Sequence, residues 1–192
     1  MGVGRMLARF TGLVSPEDPL WREALPRVEH DFYHLPAYAE LCARRDGGKP
    51  VAFIHQVAEV TLLLPLILLP IEGDPSEHYQ ATCPYGYPGI TASPGAPPEA
   101  LAEGLSAIVE HLQRARAVTL FSRLHPLIEL PLEPLAEHGV LVVHGETVSI
   151  DLSAELEHSW SVMRSSHRRH IVTAQRAGYT ATVGWDRLDD YL

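Results

Sequence analysis

Residues 51–71 read VAFIHQVAEVTLLLPLILLPI, and how this stretch folds decides the architecture around it. Its second part, VTLLLPLILLPI at 60–71, is the longest apolar run in the chain. A membrane-spanning helix takes about 20 apolar residues, more than this run supplies. Pro65 and Pro70 would interrupt a helix in any case. The stretch therefore predicts two strands, the second buried and bent at Pro65.

Working outward, LPAYAELCARRDGGKP at 35–50 predicts a helix entered at Pro36 and stopped at Gly47-Gly48. PEDPLWREALPRV at 16–28 predicts a short helix with prolines and acids at its start, and RMLARFTGLVS at 5–15 an opening strand. Downstream, CPYGYPGITASPGAPP at 83–98 is too rich in Gly and Pro for a helix and reads as a loop. The segment at 98–117 has the helical period, with Leu101, Leu105, Ile108, Val109 and Leu112 on one stripe. VTLFSRL at 118–124 predicts a strand, LEPLAEHG at 132–139 a short helix, and VLVVHGETVSIDL at 140–152 a strand or hairpin. Residues 153–177 read as helix and YTATVGW at 179–185 as a final strand. Strands alternating with helices predict an α/β or α+β fold with a mixed sheet flanked by helices.

The chain of 192 residues suffices for one large domain or two small ones. It carries 15 Lys+Arg against 24 Asp+Glu, a net charge of -9, which argues against general coating of nucleic acid. It does not exclude a local anion site. Four of the arginines fall in MRSSHRRHIVTAQRAGY at 163–179, which holds no acid. On a helical wheel Arg164, Arg168, Arg169 and Arg176 share one side, with Met163, Ile171, Ala174 and Ala177 opposite. Arginine forks on one helix face suit phosphate or carboxylate. The same pattern also fits a solvated face whose arginines pair with the chain's acids.

Five segments in order resemble Fem-type (FemABX-like) aminoacyltransferases and their predicted N-acyltransferase relatives. They are DFYHLPAYAEL at 31–41, CPYGYPG at 83–89, FSRLHPL at 121–127, GETVSIDL at 145–152, and WSVMRSSHRRHIVTAQRAGY at 160–179. The resemblance implies a GNAT-like domain, the first of a tandem pair, with an acceptor in a cleft. It implies an acyltransferase that forms an amide bond on an amine, typically of a peptidoglycan precursor. Residues matching the motifs, and so expected at a substrate site, are Tyr85, Gly86, Tyr87, Gly89, Arg123, His125, Trp160, Arg168 and Arg169. Arg164 joins them from the charge pattern. No residue is given a catalytic role. The expected partners are an anionic small-molecule or tRNA-linked substrate and a missing second GNAT-like domain. Residues 1–185 are then the GNAT-like domain and 186–192, with Asp186 as a helix N-cap, the start of a truncated second segment. Such a fragment is expected to be inactive by itself. The alternative is a truncated, non-catalytic anion-binding or interaction module.

Other constellations point to less. QRAGYT at 175–180 approaches the coenzyme-A motif of GNAT proteins, but Gly178 follows a helix and precedes a strand, so no cofactor is expected. His30 with His34, and His167 with His170, have metal-pair spacing without the glutamate of H-E-x-x-H, and no metal is expected. Ser122 and His125 lack a nucleophile elbow. Cys42 and Cys83 form neither a disulfide framework nor a zinc pattern, and residues 1–12 lack a secretory h-region, so a cytoplasmic location is expected. The two tyrosines of PYGYPG are expected to wall a pocket.

Overall fold

The computed structural model describes residues 9–181. The chain divides into two compact units, Met1–His144 and Gly145–Leu192. The first is a mixed α/β arrangement. Its strands are β1 (Phe10–Val14), β2 (Lys49–Val57), β3 (Val60–Pro70), β4 (Tyr79–Thr82), β5 (Thr91–Ala92) and β6 (Ala117–Phe121). Its helices are α1 (Pro19–Ala24), α2 (Pro36–Asp46), α3 (Pro98–Arg114) and α4 (Glu133–His138), with 3-10 turns at Leu25–Arg27 and Phe32–His34. The sheet runs β1-β2-β3-β4-β6, with β5 also on β3. All pairings are antiparallel except β4 with β6, so the sheet is mixed.

The apolar run is buried because β3 is covered on both faces, as a near-continuous hydrophobic strand requires. Leu62, Leu64, Leu66 and Leu68 pack with Leu101, Leu105, Ile108 and Leu112 of α3. Leu63 packs with Trp21 and Ala24 of α1, and Ile67 with Cys42 and Ala43 of α2. Val109, expected on the buried stripe of α3, is instead 42% exposed. The helix turns Gly104 toward β3, where any Cβ would overlap the Leu62 side chain.

Pro65 does not break β3, which pairs with β2 through it, opposite Ala52. What it interrupts is the other edge. Alternate residues of a strand turn their backbone groups to the same side. The Thr61 carbonyl accepts from Ser93 N, and Ile71 N donates to the His78 carbonyl, so odd residues of β3 face the β4/β5 edge. Pro65 has no N–H to offer that edge. There β5 pairs with 62–63 and β4 with 67–70, while residues 64–66 meet no strand. Opposite them the chain leaves the sheet as residues 83–90, the PYGYPG segment.

The second unit, described by itself, holds α5 (Leu156–Val162) and α6 (Ser165–Arg176). The single helix expected over 153–177 is broken at Met163 and Arg164, whose ψ values of 139° and 138° are extended. Residues 140–152, expected as strand or hairpin, form neither. Val140, Val143, Val148 and Leu152 are each at least 90% exposed. Among the described residues this segment has no strand partner to bury them. Tyr179–Ala181 are not strand either. The rest of that expected strand, Asp186 and the segment 186–192 lie outside the described residues. No described helix is long and apolar enough to cross a membrane.

Candidate functional site

The gap beside Pro65 positions a cluster of side chains drawn from three separate segments. Asp31 caps the 3-10 turn Phe32–His34, its Oδ1 accepting from Tyr33 N at 2.9 Å. The turn is tight enough to bring His34 Nδ1 within 3.0 Å of the same oxygen. The other carboxylate oxygen, Oδ2, accepts from His125 Nε2 at 2.9 Å, across 94 residues of sequence. Nδ1 of His125 in turn accepts from Leu127 N at 3.1 Å, which fixes the tautomer as Nε2–H.

His34 is fully buried. Its Nε2 lies 3.2 Å from the Gly89 carbonyl, which only accepts, so this nitrogen carries a proton. When neutral, the ring accepts from Asp31 N at 3.3 Å through Nδ1. When charged, it donates from that atom to the Asp31 carboxylate. Burial pushes the His34 pKa down, against the opposing pull of Asp31, and favours the neutral ring.

The loop is held from several directions. Gly86 has a φ of 102° and its Cα meets the Tyr33 ring so closely that a Cβ would overlap it. Gly89 is packed against the backbone of Arg123 and Leu124. The Tyr38 hydroxyl donates to the Tyr85 carbonyl at 2.9 Å. Loss of solvent, and then contact with Cys42, leaves that phenol pushed up to about 12. Cys83, just before the loop, is buried, and burial raises its thiol pKa despite the nearby Arg123. It is not poised as a thiolate nucleophile.

Around Asp31 the aromatic rings form a continuous patch. Phe32 and Tyr33 are 4.1 Å apart by centroids, Tyr33 and Tyr38 5.5 Å, Tyr33 and Tyr87 6.2 Å, and Tyr33 and His125 6.5 Å. Tyr85 is 64% and Tyr87 37% exposed. Both tyrosines thus reach the surface. They do not line either of two cavities among the described residues. One, of about 390 Å³, is apolar and lies between α3, β6 and α4. The other, of about 640 Å³, is bordered by residues 92–96 and 127–131.

No family model matches the chain, and no curated protein or solved structure does. The site therefore stands on its own geometry. Of the expected residues, Tyr85, Gly86, Tyr87, Gly89, Arg123 and His125 come together. Asp31, Tyr33, His34 and Tyr38 are the members sequence reasoning left out of the site. The signal for them was local: an aspartate three residues before a histidine is a capping pattern, here closed by Asp31 and His34. His30 and His34 do not converge, since His30 Nδ1 contacts the Val28 carbonyl. Ser122 and His125 make no dyad, as both nitrogens of His125 are engaged elsewhere and Ser122 Oγ has no hydrogen-bond partner.

Trp160, Arg164, Arg168 and Arg169 lie in the second unit. Arg168 does not offer a free fork. Its Nη1 donates to the carbonyls of Trp160, Ser161 and Met163 at 3.0, 2.9 and 2.6 Å, closing the C-terminus of α5. Its side chain reaches those carbonyls across the break at Met163–Arg164. Arg164, Arg169 and Arg176 are exposed, and no ion pair found among the described residues involves them. The expected apolar side is only partly covered: Met163 and Ala174 are half-buried, Ile171 and Ala177 exposed.

Proposed function

We propose that this chain is the Fem-like, GNAT-like domain of an acyl- or aminoacyltransferase that forms an amide bond on an amine acceptor. The acceptor class that fits the resemblance is a peptidoglycan precursor. The observation that carries the reading is the 2.9 Å bond between Asp31 and His125. Three of the five resembling segments, 31–41, 83–89 and 121–127, meet through it and through the His34–Gly89 and Tyr38–Tyr85 bonds.

In the reaction the acceptor nitrogen attacks the carbonyl carbon of an activated acyl ester or thioester. The leaving group departs with its electron pair, and the nitrogen gives up a proton. The chain's own contribution would be positioning. The cluster orients a carboxylate at the surface, and the rigid Gly-Pro loop sets aromatic faces beside it. In the second unit, by itself, the exposed arginines of α6 would take a phosphate-bearing ligand.

A second reading, a non-catalytic anion-binding or interaction module, draws on the internal use of His34 and His125, neither of which keeps a free nitrogen. One assay separates the two. The chain is incubated with aminoacyl-tRNA or an acyl thioester and a nucleotide-linked muramyl peptide, and product is followed by mass. A gain of one acyl group, lost in Asp31→Ala and His125→Ala, supports transfer. Binding of these substrates without product is the outcome expected of the domain by itself, and binding of other anions but of neither substrate supports the module.

A further inference from the structure

Resting on that reading of the site, the geometry points to Asp31 as an ammonium anchor: the subsite beside it takes a cationic primary amine, with Tyr33 and Tyr87 as its wall. The carboxylate is built in place. Tyr33 N and His125 donate to it, while the neutral His34 ring accepts from the Asp31 N–H and fixes its backbone. A carboxylate has about four lone-pair positions, so these two donors leave room for another. The side chain is 31% exposed, so the remaining position can face solvent.

No strong cation already fills that position. In the ion pairs among the described residues, Asp31 meets only the two imidazoles. Arg45 is bound to Asp46 through two bonds of 2.6 and 3.0 Å and lies over the Tyr85 ring at 5.4 Å. Arg123 lies over Phe121 at 5.6 Å. Burial favours the uncharged form of His34. Next to the carboxylate's partners stand aromatic rings, with Tyr33 6.2 Å from Tyr87 and 6.5 Å from His125 by centroids. The electron-rich faces of Tyr and Phe attract cations, and a carboxylate with such walls repels an anion and gives a neutral hydroxyl much less than it gives an ammonium. The neighbouring loop already holds one cation this way, in Arg45 over Tyr85.

The test is a titration of the full isotopically labelled chain by NMR at low salt and neutral pH. The probes are n-hexylammonium, n-hexanol and hexanoate, which share a tail and differ in charge. Saturable shifts at Tyr33, Gly86 and Leu127 are expected with the ammonium alone. Asp31→Asn keeps an oxygen for Tyr33 N and should weaken that binding by about tenfold or more. Tyr87→Leu should weaken it a few-fold. Equal binding of the alcohol, unchanged binding by Asp31→Asn, or no binding by any probe overturns the proposal. Should Asp31→Asn fail to fold, the contrast among the three probes on the unaltered chain decides alone. No acyl donor is present, so the outcome is independent of transfer. Ammonium binding with no binding of either substrate in the product assay would remove the transferase reading and leave the subsite standing. Transfer without preference for the ammonium would do the reverse.

Discussion

The Cα of Gly86 rests on the ring of Tyr33, with no room between them for a Cβ. Gly86 is also held at a φ of 102°, outside the range that side chains tolerate. Gly86→Ala should therefore cost about 1–3 kcal/mol from backbone strain. The Tyr33 ring must shift as well, disturbing the hydrogen bond that Tyr33 N makes to Asp31. Gly89→Ala meets backbone rather than a ring, at Arg123 and Leu124, and backbone yields less readily. Gly95→Ala is the control, since nothing lies within 4 Å of its added Cβ and only strain acts. Chemical denaturation should rank Gly95→Ala as the mildest. Equal losses at Gly86 and Gly95 would mean that the Tyr33 contact contributes nothing beyond backbone strain, whereas any loss at Gly89, which is not at positive φ, reports the contact alone.

Much of the sheet was legible because its causes are local. Two covered faces make an apolar run, Gly47 at a φ of 72° ends α2, and Pro36 begins it. Pro65 was legible as a disturbance, but its consequence depends on which edge its nitrogen faces, and that follows from register. The site was half legible. PYGYPG announces a rigid loop by composition, whereas the role of Asp31 depends on His125, 94 residues away. Arg168 looked like its neighbours on a helical wheel. Its side chain instead reaches the carbonyls of α5 across the break at Met163–Arg164. Residues 140–152 have strand composition, but a strand needs a partner edge, and sequence does not say whether one is present.

Acid should weaken the first unit through its buried histidines. Burial lowers the pKa of His34, and that of His55, below the ordinary value of about 6.5. The unfolded chain therefore binds protons more readily than the folded one at these sites. Their contribution is fully present above the unfolded pKa and is lost as pH falls below about 6.5 toward the folded values. Melting temperatures measured from pH 8 to pH 5 should fall across that window. His34→Gln keeps a donor for the Gly89 carbonyl and removes one titrating ring. It should melt lower at pH 8 and show a shallower fall, with His55 supplying the remainder. A slope unchanged by the substitution would show that His34 does not titrate in that window.

The arginines of α6 should separate into one that holds the fold and others that can hold a ligand. Arg168 Nη1 satisfies three carbonyls that a helix end otherwise leaves open. Removing it in Arg168→Ala should cost about 1 kcal/mol, the scale of a charged hydrogen bond discounted for partial exposure. Arg169 is exposed and makes no such bond through its side chain, so Arg169→Ala should stay within about 0.5 kcal/mol of the parent. Ligand binding should rank the two differently. The N-terminus of α6 has no side-chain cap, and Arg164 and Arg169 flank it with exposed charge. Open N–H groups and cations together favour an anion. A nucleotide-diphosphate sugar and a tRNA acceptor mimic are the probes, each titrated at two salt concentrations. Binding should weaken with salt, because exposed charges are screened over about 8 Å at physiological ionic strength. Arg164→Ala with Arg169→Ala should reduce binding without lowering the melting temperature. Arg168→Ala should lower the melting temperature, and reduce binding only as far as it loosens the turn between α5 and α6. Equal binding by the Arg164/Arg169 double variant, or none at low salt by the unaltered chain, would leave α6 a solvated face.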